Sequence, residues 1–425
     1  MEAVVICGLG FFVFAFLIRI PISFAVGMSA VLYCLVTDRI PIEALTHRMV
    51  MATESWPIMA VPFFVLMGIA LNRGRSGNYL MDLANSLVGW FYGGLSAVMI
   101  VVNMFFGGCS GSAVADASSI GGVMIPEMVR KGYGKGYSAA LNAASSTIGI
   151  IIPPSIPLIL YAWVTEVSIR KLFLAGVIPG ILVGVVQMLA AGYLGYRRKH
   201  YRAPRPVMAV VWPQFIRAVP ALFIPIIVMG GILAGVYTTT EAALMGALYV
   251  IGVEILYYKA FGFKDLFGMM VEAAKVSGVV IMLIATSLML TYVIVLSRVP
   301  MALQESLTTY IPNGHLALIV IALILLVTGC FLDLTPSLLI FTPIFFPFAT
   351  KLGVDPVQLG VVTTMVLGIG LFTPPVGQTL YISALVAKAP IEVVSEDILW
   401  FLAAIAAVVL LVIFHEPATL WLAGV

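Results

Sequence analysis

Long apolar segments separated by short polar stretches dominate this chain. Apolar runs long enough to cross a bilayer, or nearly so, predict membrane helices. In the first half these runs lie at about 3–18, 22–37, 57–72, 138–163 and 172–196. In the second half they lie at about 218–236, 241–258, 276–297, 357–385 and 397–418. The pattern predicts an all-α polytopic membrane protein.

Two further apolar stretches, at about 93–130 and 314–350, are too long for a single crossing. Small and polar residues interrupt each of them, GGCSGSAVAD at 107–116 and GCFLDLTPS at 329–337. Non-helical backbone is tolerated at membrane depth only where protein or water satisfies it. We interpret both stretches as re-entrant hairpins whose tips stop midway. For 93–130, two ordinary crossings are the alternative.

Residues 38–56 and 299–313 are mixed in polarity, with glutamates among apolar neighbours. Such segments are typical of helices that lie along the membrane surface.

The chain repeats itself at one offset. Pro153-Pro154 recurs as Pro374-Pro375, which is 374 − 153 = 221 residues later, and Gly149 meets Gly370 at the same offset. We infer a duplicated unit, with a first repeat at 1–205 and a second at 206–425. Each repeat would have about five transmembrane helices plus one re-entrant hairpin, and an odd number of crossings inverts the second repeat.

The basic residues test this topology. If the chain starts outside and each hairpin returns to its side of entry, 16 of the 22 Lys and Arg residues fall on the cytoplasmic side and 6 outside. That is the bias that the positive-inside rule expects. The densest basic cluster, RRKHYRAPR at 197–205, marks the linker between the repeats.

Composition supports the membrane assignment and limits the function. Apolar residues make up 62% of the chain and charged residues only 10%. The net charge of +3 is too small to indicate nucleic-acid binding. The 4 cysteines lie in apolar runs without CxxC spacing, so we read them as reduced thiols and not as metal ligands.

The hairpin tips carry the candidate chemistry. Ser112 and Asp116 lie four residues apart, on one face of the returning helix. At the repeat offset Ser112 aligns with Asp333 and Asp116 aligns with Ser337. A carboxylate at this depth is costly and suggests function, whereas helix capping is the alternative role. The pattern favours Asp333 over Asp116 as the functional one.

The double prolines predict broken helices at about 138–163 and 357–385. Proline removes backbone donors and frees carbonyls upstream, and such carbonyls with Ser or Thr oxygens suit Na⁺. Half-helix N-termini beyond each break suit an anionic substrate. A proline kink used only for packing is the alternative.

Enzyme functions find little support. The sequence GCSG at 108–111 is similar to the GxSG of rhomboid intramembrane serine proteases, but no histidine lies at the middle of a predicted span. No Walker A sequence is present, so we expect no ATP hydrolysis on this chain.

Several motifs together resemble one family, the large membrane subunit of tripartite ATP-independent periplasmic (TRAP) transporters. The motifs are GGCSGSAVADASSIGGVMIPEMVRKGY (107–133), STIGIIIPPSIPLILYA (146–162), GGILAGVYTTTEAAL (230–244), FLDLTPSLLIFTPIFFP (331–347) and FTPPVG (372–377). The resemblance covers nearly the whole chain. It departs at Thr238-Thr239-Thr240-Glu241, where the family often has Thr-Pro-Thr-Glu.

The resemblance implies an elevator-type fold of the ion-transporter superfamily and Na⁺-driven uptake across the bacterial inner membrane, with no organic cofactor. A periplasmic substrate-binding protein would deliver an organic acid such as a C4-dicarboxylate or sialic acid. A small four-helix membrane subunit would brace the scaffold.

The same resemblance assigns site residues. The expected Na⁺ ligands are Ser110, Ser112, Gly149, Asp333, Thr335, Gly370 and Thr373. The expected substrate contacts are Ser155, Gln378 and Thr379. A stand-alone Na⁺/dicarboxylate symporter is the alternative function, and an intramembrane serine protease is a remote one.

Overall fold

The computed structural model describes residues 20–37, 40–298, 300–301 and 311–424, all of them in helices or connections. Within these ranges the first half has nine α-helices. They are α1 (Ile22–Thr37), α2 (Ile42–Thr53), α3 (Ala60–Arg73), α4 (Ser76–Val88), α5 (Gly94–Ser110), α6 (Ala113–Arg130), α7 (Lys135–Ser145), α8 (Ile156–Thr165) and α9 (Ile169–Arg197). Two 3₁₀ segments accompany them, Trp56–Met59 and Ser146–Ile150.

The helices that follow the linker are α10 (Met208–Leu233), α11 (Thr239–Gly252), α12 (Phe263–Leu296), α13 (Gly314–Gly329), α14 (Leu334–Lys351), α15 (Pro356–Gly370), α16 (Gln378–Ala387), α17 (Ile391–Phe414) and α18 (Pro417–Ala423). A π-helical turn, Val253–Tyr257, extends α11. Across the described ranges, seven helical segments are long and apolar enough to span a membrane by length and composition.

The helix bounds recur at the offset seen in the sequence. Helix α6 (Ala113–Arg130) moved by 221 residues coincides with α14 (Leu334–Lys351). The hairpin α5–α6 and the broken helix α7–α8 thus have counterparts in α13–α14 and α15–α16. Helices α5 and α13 end within the two small polar clusters, and α7 and α15 end before the two double prolines.

Some other predictions from the sequence need correction, and some concern residues outside the described ranges. Helix α4 was not predicted, although Leu80, Leu83 and Ala84 form its buried face at helical spacing. Helix α12 begins at Phe263 instead of at about 276. The predicted surface segment at 38–56 contains α2. The predicted span at 3–18, and most of the predicted segment at 299–313, lie outside the described residues.

The helices form two packed groups. One group consists of α1–α4 and α10–α12, in which α11 packs on α3 and α12 packs on α1 and α2. The other consists of α5–α9 and α13–α18, in which α16 packs on α6 and α7. Helices α3 and α4 contact α5, and α12 contacts α14, so the groups meet at the arms of both hairpins.

Polar contacts join the two halves within these groups. The carboxylate of Glu254, which is fully buried, accepts hydrogen bonds from the backbone N–H groups of Arg75 (2.8 Å) and Ser76 (3.0 Å). These donors begin α4, whose first-turn N–H groups lack intrahelical partners. A residue of the second half therefore caps a helix of the first.

The linker after α9 lies against the base of the first hairpin. The Ala203 N–H donates to the Gly89 carbonyl oxygen (3.0 Å), and the His200 ring lies 4.2 Å from the Tyr133 ring, centroid to centroid. Burial and the neighbouring Arg198 charge lower the pKa of the His200 imidazole. The imidazole is therefore neutral at pH 7 and packs as an aromatic ring.

Candidate functional site

The first hairpin tip meets the first helix break at two glycines. A Cβ atom on Gly107 would lie 1.8 Å from the Cα of Gly149, so only glycine fits at this contact. Helix α5 ends at Ser110, and Gly111 takes the left-handed conformation (φ 59°) that ends the helix without a Cβ clash. The non-helical backbone of both segments is thereby brought together inside protein, as membrane depth requires.

Asp116 lies at this junction. It follows the tip on the first turn of α6, and its residue exposure is 0%. A Cβ atom on Gly149 would lie 3.0 Å from Asp116 Oδ2, so the carboxylate faces the helix break. Ser110 lies alongside it without a well-formed hydrogen bond. Neither carboxylate oxygen has a donor among the groups that the structure describes.

Ser112 begins the returning helix. Its hydroxyl oxygen accepts a hydrogen bond from the Ala115 N–H (3.4 Å), as a helix N-cap does. Ser110 accepts one from the Ser112 N–H (3.2 Å). The first tip thus has a capping residue, Ser112, and a buried carboxylate without a donor, Asp116.

The second tip exchanges these two roles. Asp333 is the N-cap of α14, and its Oδ1 accepts a hydrogen bond from the Leu334 N–H (2.8 Å). Ser337 occupies the position of Asp116, is fully buried, and its hydroxyl has no partner within the described chain. Thr335 is half-buried on the first turn. One half therefore buries a carboxylate where the other buries a hydroxyl.

The second tip also contacts its helix break. A Cβ atom on Gly370 would lie 2.5 Å from the backbone carbon of Gly329, and the Val376 N–H donates to the Cys330 carbonyl oxygen (3.2 Å). The Thr373 hydroxyl donates to the Ile369 carbonyl oxygen (2.7 Å). The second tip therefore lies against the segment that contains Gly370 and Thr373, and Asp333 and Thr335 follow this tip at the start of α14.

The three expected substrate residues differ in access. Ser155 is fully buried, caps α8 and donates to the Ile150 carbonyl oxygen. Thr379 is fully buried, and its hydroxyl donates to Ala143 O (3.1 Å) and Leu371 O (3.0 Å). Gln378 is half-buried at the start of α16. The substrate assignment stays a prediction, and Gln378 is the most accessible of the three.

Comparison with known proteins decides the family. The model of the family described as "Tripartite ATP-independent periplasmic transporter, DctM component" matches residues 9–418. The chain belongs to this family. It is therefore a large permease subunit of a TRAP transporter and a multi-pass membrane protein.

The chain matches most of the length of two TRAP permeases and about two thirds of a third, and the three differ in substrate name. The chain is 32% identical to the C4-dicarboxylate TRAP transporter large permease DctM of Pseudomonas aeruginosa, over 93% of this chain and 92% of that protein. It is 34% identical to the 2,3-diketo-L-gulonate TRAP transporter large permease YiaN of Escherichia coli, over 87% of each. It is 32% identical to the sialic acid TRAP transporter permease SiaT of Haemophilus influenzae, over 95% of this chain and 65% of that protein.

A solved structure shares the fold. The YdaH transporter of Alcanivorax borkumensis superposes with a TM-score of 0.60 over 88% of each chain, at 14% sequence identity. At that identity the likeness concerns the fold alone.

The predictions from the sequence missed several buried polar residues of this TRAP permease. Asn103, Asn142 and Gln187 are fully buried, and the amide oxygen of each has no donor in the described part of the chain. A signal for one of them was available, because Ser96, Asn103 and Ser110 are seven residues apart along α5 and so share a face.

Proposed function

We propose that this TRAP permease takes up an organic acid by Na⁺-coupled secondary transport across the bacterial inner membrane. The observation that carries the proposal is the environment of Asp116. A carboxylate is fully buried beside a helix break, and its oxygens have no protein donor in the described structure. An unpaired buried carboxylate is costly, and a bound cation would supply the opposite charge that offsets this cost.

The oxygen-rich surroundings favour Na⁺ over a softer metal. The groups at the first junction are a carboxylate, the Ser110 hydroxyl and the backbone of Gly149. Hard cations prefer such oxygen ligands, and thiolate or imidazole ligands are typical of transition metals. The second junction offers the hydroxyls of Thr373 and Ser337.

We further propose that the repeats are inverted and that the two helix groups move relative to each other as in an elevator. The recurrence of helix bounds at 221 residues and the 16-to-6 bias of basic residues support the inversion. The group α5–α9 with α13–α18 contains both tips and both breaks, so it would be the mobile part.

The substrate class and the partners follow from the family. Relatives are named for C4-dicarboxylate, sialic acid and diketogulonate, all of them organic acids. The N-terminus of α16 begins directly after the second break, where its dipole suits a carboxylate. A periplasmic binding protein would deliver the acid, and a small membrane subunit would complete the complex.

Uptake into proteoliposomes tests this function. Liposomes with the full-length chain and its small subunit are supplied with the binding protein and radiolabelled succinate or sialic acid. We expect uptake under an inward Na⁺ gradient to fall at least about tenfold when K⁺ replaces Na⁺ at equal ionic strength. A tenfold change corresponds to about 1.4 kcal/mol of free energy. Equal uptake under a proton gradient alone contradicts Na⁺ coupling.

Omitting the binding protein distinguishes the proposed function from the second candidate. A stand-alone Na⁺/dicarboxylate symporter would transport equally well without it. The family membership favours the binding-protein-dependent form and argues against the protease alternative.

A further inference from the structure

A line of buried polar residues extends from the Asp116 junction into the first hairpin. Along α7 and the 3₁₀ turn, Asn142, Ser145 and Gly149 are three or four residues apart and all are buried. Asn103 of α5 faces them, because its Nδ2 donates to Ser145 Oγ (2.8 Å). The line therefore continues the Asp116 junction by one to two helical turns.

Two amide side chains in this line have hydrogen-bond partners at the nitrogen but not at the oxygen. Asn103 Nδ2 also donates to the Met99 carbonyl oxygen (3.1 Å), and Asn142 Nδ2 donates to Ala117 O and Ser383 Oγ, both at 2.8 Å. Both residues are fully buried, and the Oδ1 atom of each has no donor in the described ranges. Leaving such a buried acceptor without a donor is unfavourable unless a water or an ion completes it.

The second half shows that the fold does not need these amides. At the repeat offset, Asn103 corresponds to Ile324, Asn142 to Thr363 and Ser145 to Val366. Helices α13, α14 and α15 pack on one another there, as α5, α6 and α7 do in the first half. Since the same arrangement is built without the amides, packing alone does not explain them.

The chemistry of the line points to a cation. Amide and hydroxyl oxygens are ligands for hard cations. Asn142 is fixed to the residue after Asp116 by the Ala117 hydrogen bond, and Ser145 precedes Gly149 by four residues of 3₁₀ helix, about 8 Å along the axis. The Asp116 carboxylate is thus close enough to supply negative charge to a cation held by neutral ligands.

We propose that Asn103, Asn142 and Ser145 form a second buried position for a small monovalent cation, adjoining the Asp116 position in the first hairpin unit. The proposal rests on the proposed function, because it places a further coupling cation of the same kind beside the first. It assigns to the first half an ion position that the second half lacks.

Binding of ²²Na⁺ to the purified full-length chain at equilibrium tests the position. The test variant carries Asn103→Ile and Asn142→Thr, the residues of the second half. We expect it to bind one Na⁺ fewer than the wild type. Its thermal midpoint in choline chloride should be lower than that of the wild type, because Ser145 and Ser383 lose the hydrogen bonds that the two amides donate, and its rise on addition of NaCl should be smaller. Thr363→Val, at the matched place of the second half, is the control and should leave the bound number unchanged.

A second variant tests the same position even if the double variant does not fold. Asn103→Asp adds a carboxylate to the line. With a cation there, this variant should bind Na⁺ at least about tenfold more tightly and should be destabilised only in choline. If water alone occupies the line, Asn103→Asp destabilises equally in both salts and the double variant binds Na⁺ as the wild type does, which overturns the proposal.

The outcomes also separate the two proposals. If the wild type binds no Na⁺, the proposed function itself fails. If Asp116→Asn lowers Na⁺ binding while the amide variants do not, Na⁺ coupling stands and only the second position is wrong.

Discussion

At the scale of single residues, the two aspartates of the hairpin tips differ in what holds them. Asp333 has a structural role that is already visible, since its carboxylate accepts the Leu334 N–H at the start of a helix. Asp116 has no such donor and lies fully buried beside Gly149. These contacts favour Asp116 as the ion ligand, the reverse of the ranking that the sequence pattern suggested.

Exchange of each aspartate for asparagine tests this ranking. Asp116→Asn removes charge and keeps shape, so the apparent Na⁺ affinity of uptake should fall by roughly 5- to 150-fold, equivalent to about 1–3 kcal/mol of coupling. Asp333→Asn should leave the Na⁺ dependence nearly unchanged, because asparagine caps a helix about as well as aspartate. A Na⁺ titration of the initial uptake rate measures both, and a larger effect at Asp333 would restore the sequence-based ranking.

At the scale of elements, the sequence predicted the helix breaks and the hairpin tips, which proline and glycine cause. The breaks after α7 and α15 coincide with the double prolines, and the tips coincide with the small polar clusters. Helix α4 was missed because it is amphipathic and lacks the long apolar run that marks a crossing. The pairing of tip with break was expected only from the family resemblance, because the sequence pattern alone does not say which glycines of different helices meet.

That pairing gives an element-scale prediction. Gly107→Ala places a methyl group 1.8 Å from the Cα of Gly149, so the hairpin must separate from the helix break. We expect it to lower the thermal midpoint and to abolish Na⁺-dependent stabilisation. Gly122→Ala in the other arm of the same hairpin is the control, because its added Cβ meets no atom within 4 Å. In the control, the gain in helix propensity, up to about 1 kcal/mol, should leave the midpoint equal or higher. Equal effects of both variants would show that the glycine contact is unimportant.

At the scale of the whole molecule, the basic residues predict the orientation of the chain in the membrane. Helix α9 joins Arg170, expected outside, to the basic linker around Lys199, expected in the cytoplasm. Both side chains are exposed, so both suit chemical labelling.

Cysteine labelling in intact cells tests the orientation. An impermeant thiol reagent should modify Arg170→Cys rapidly and Lys199→Cys only after permeabilisation. The buried Cys34, Cys109 and Cys330 should react slowly in either state. Rapid labelling of Lys199→Cys in intact cells would exclude the inverted arrangement proposed here.

The hydrogen bonds between the halves have a consequence for the order of synthesis. Asn142 needs Ser383, and the first turn of α4 needs Glu254. Both partners leave the ribosome long after the residues that they satisfy. The first half must therefore wait in the bilayer with open polar groups, and it reaches its final packing only when the last third of the chain arrives. We therefore expect the hydrogen bonds of Asn142 and of the α4 N-terminus to be completed only after both halves have entered the membrane.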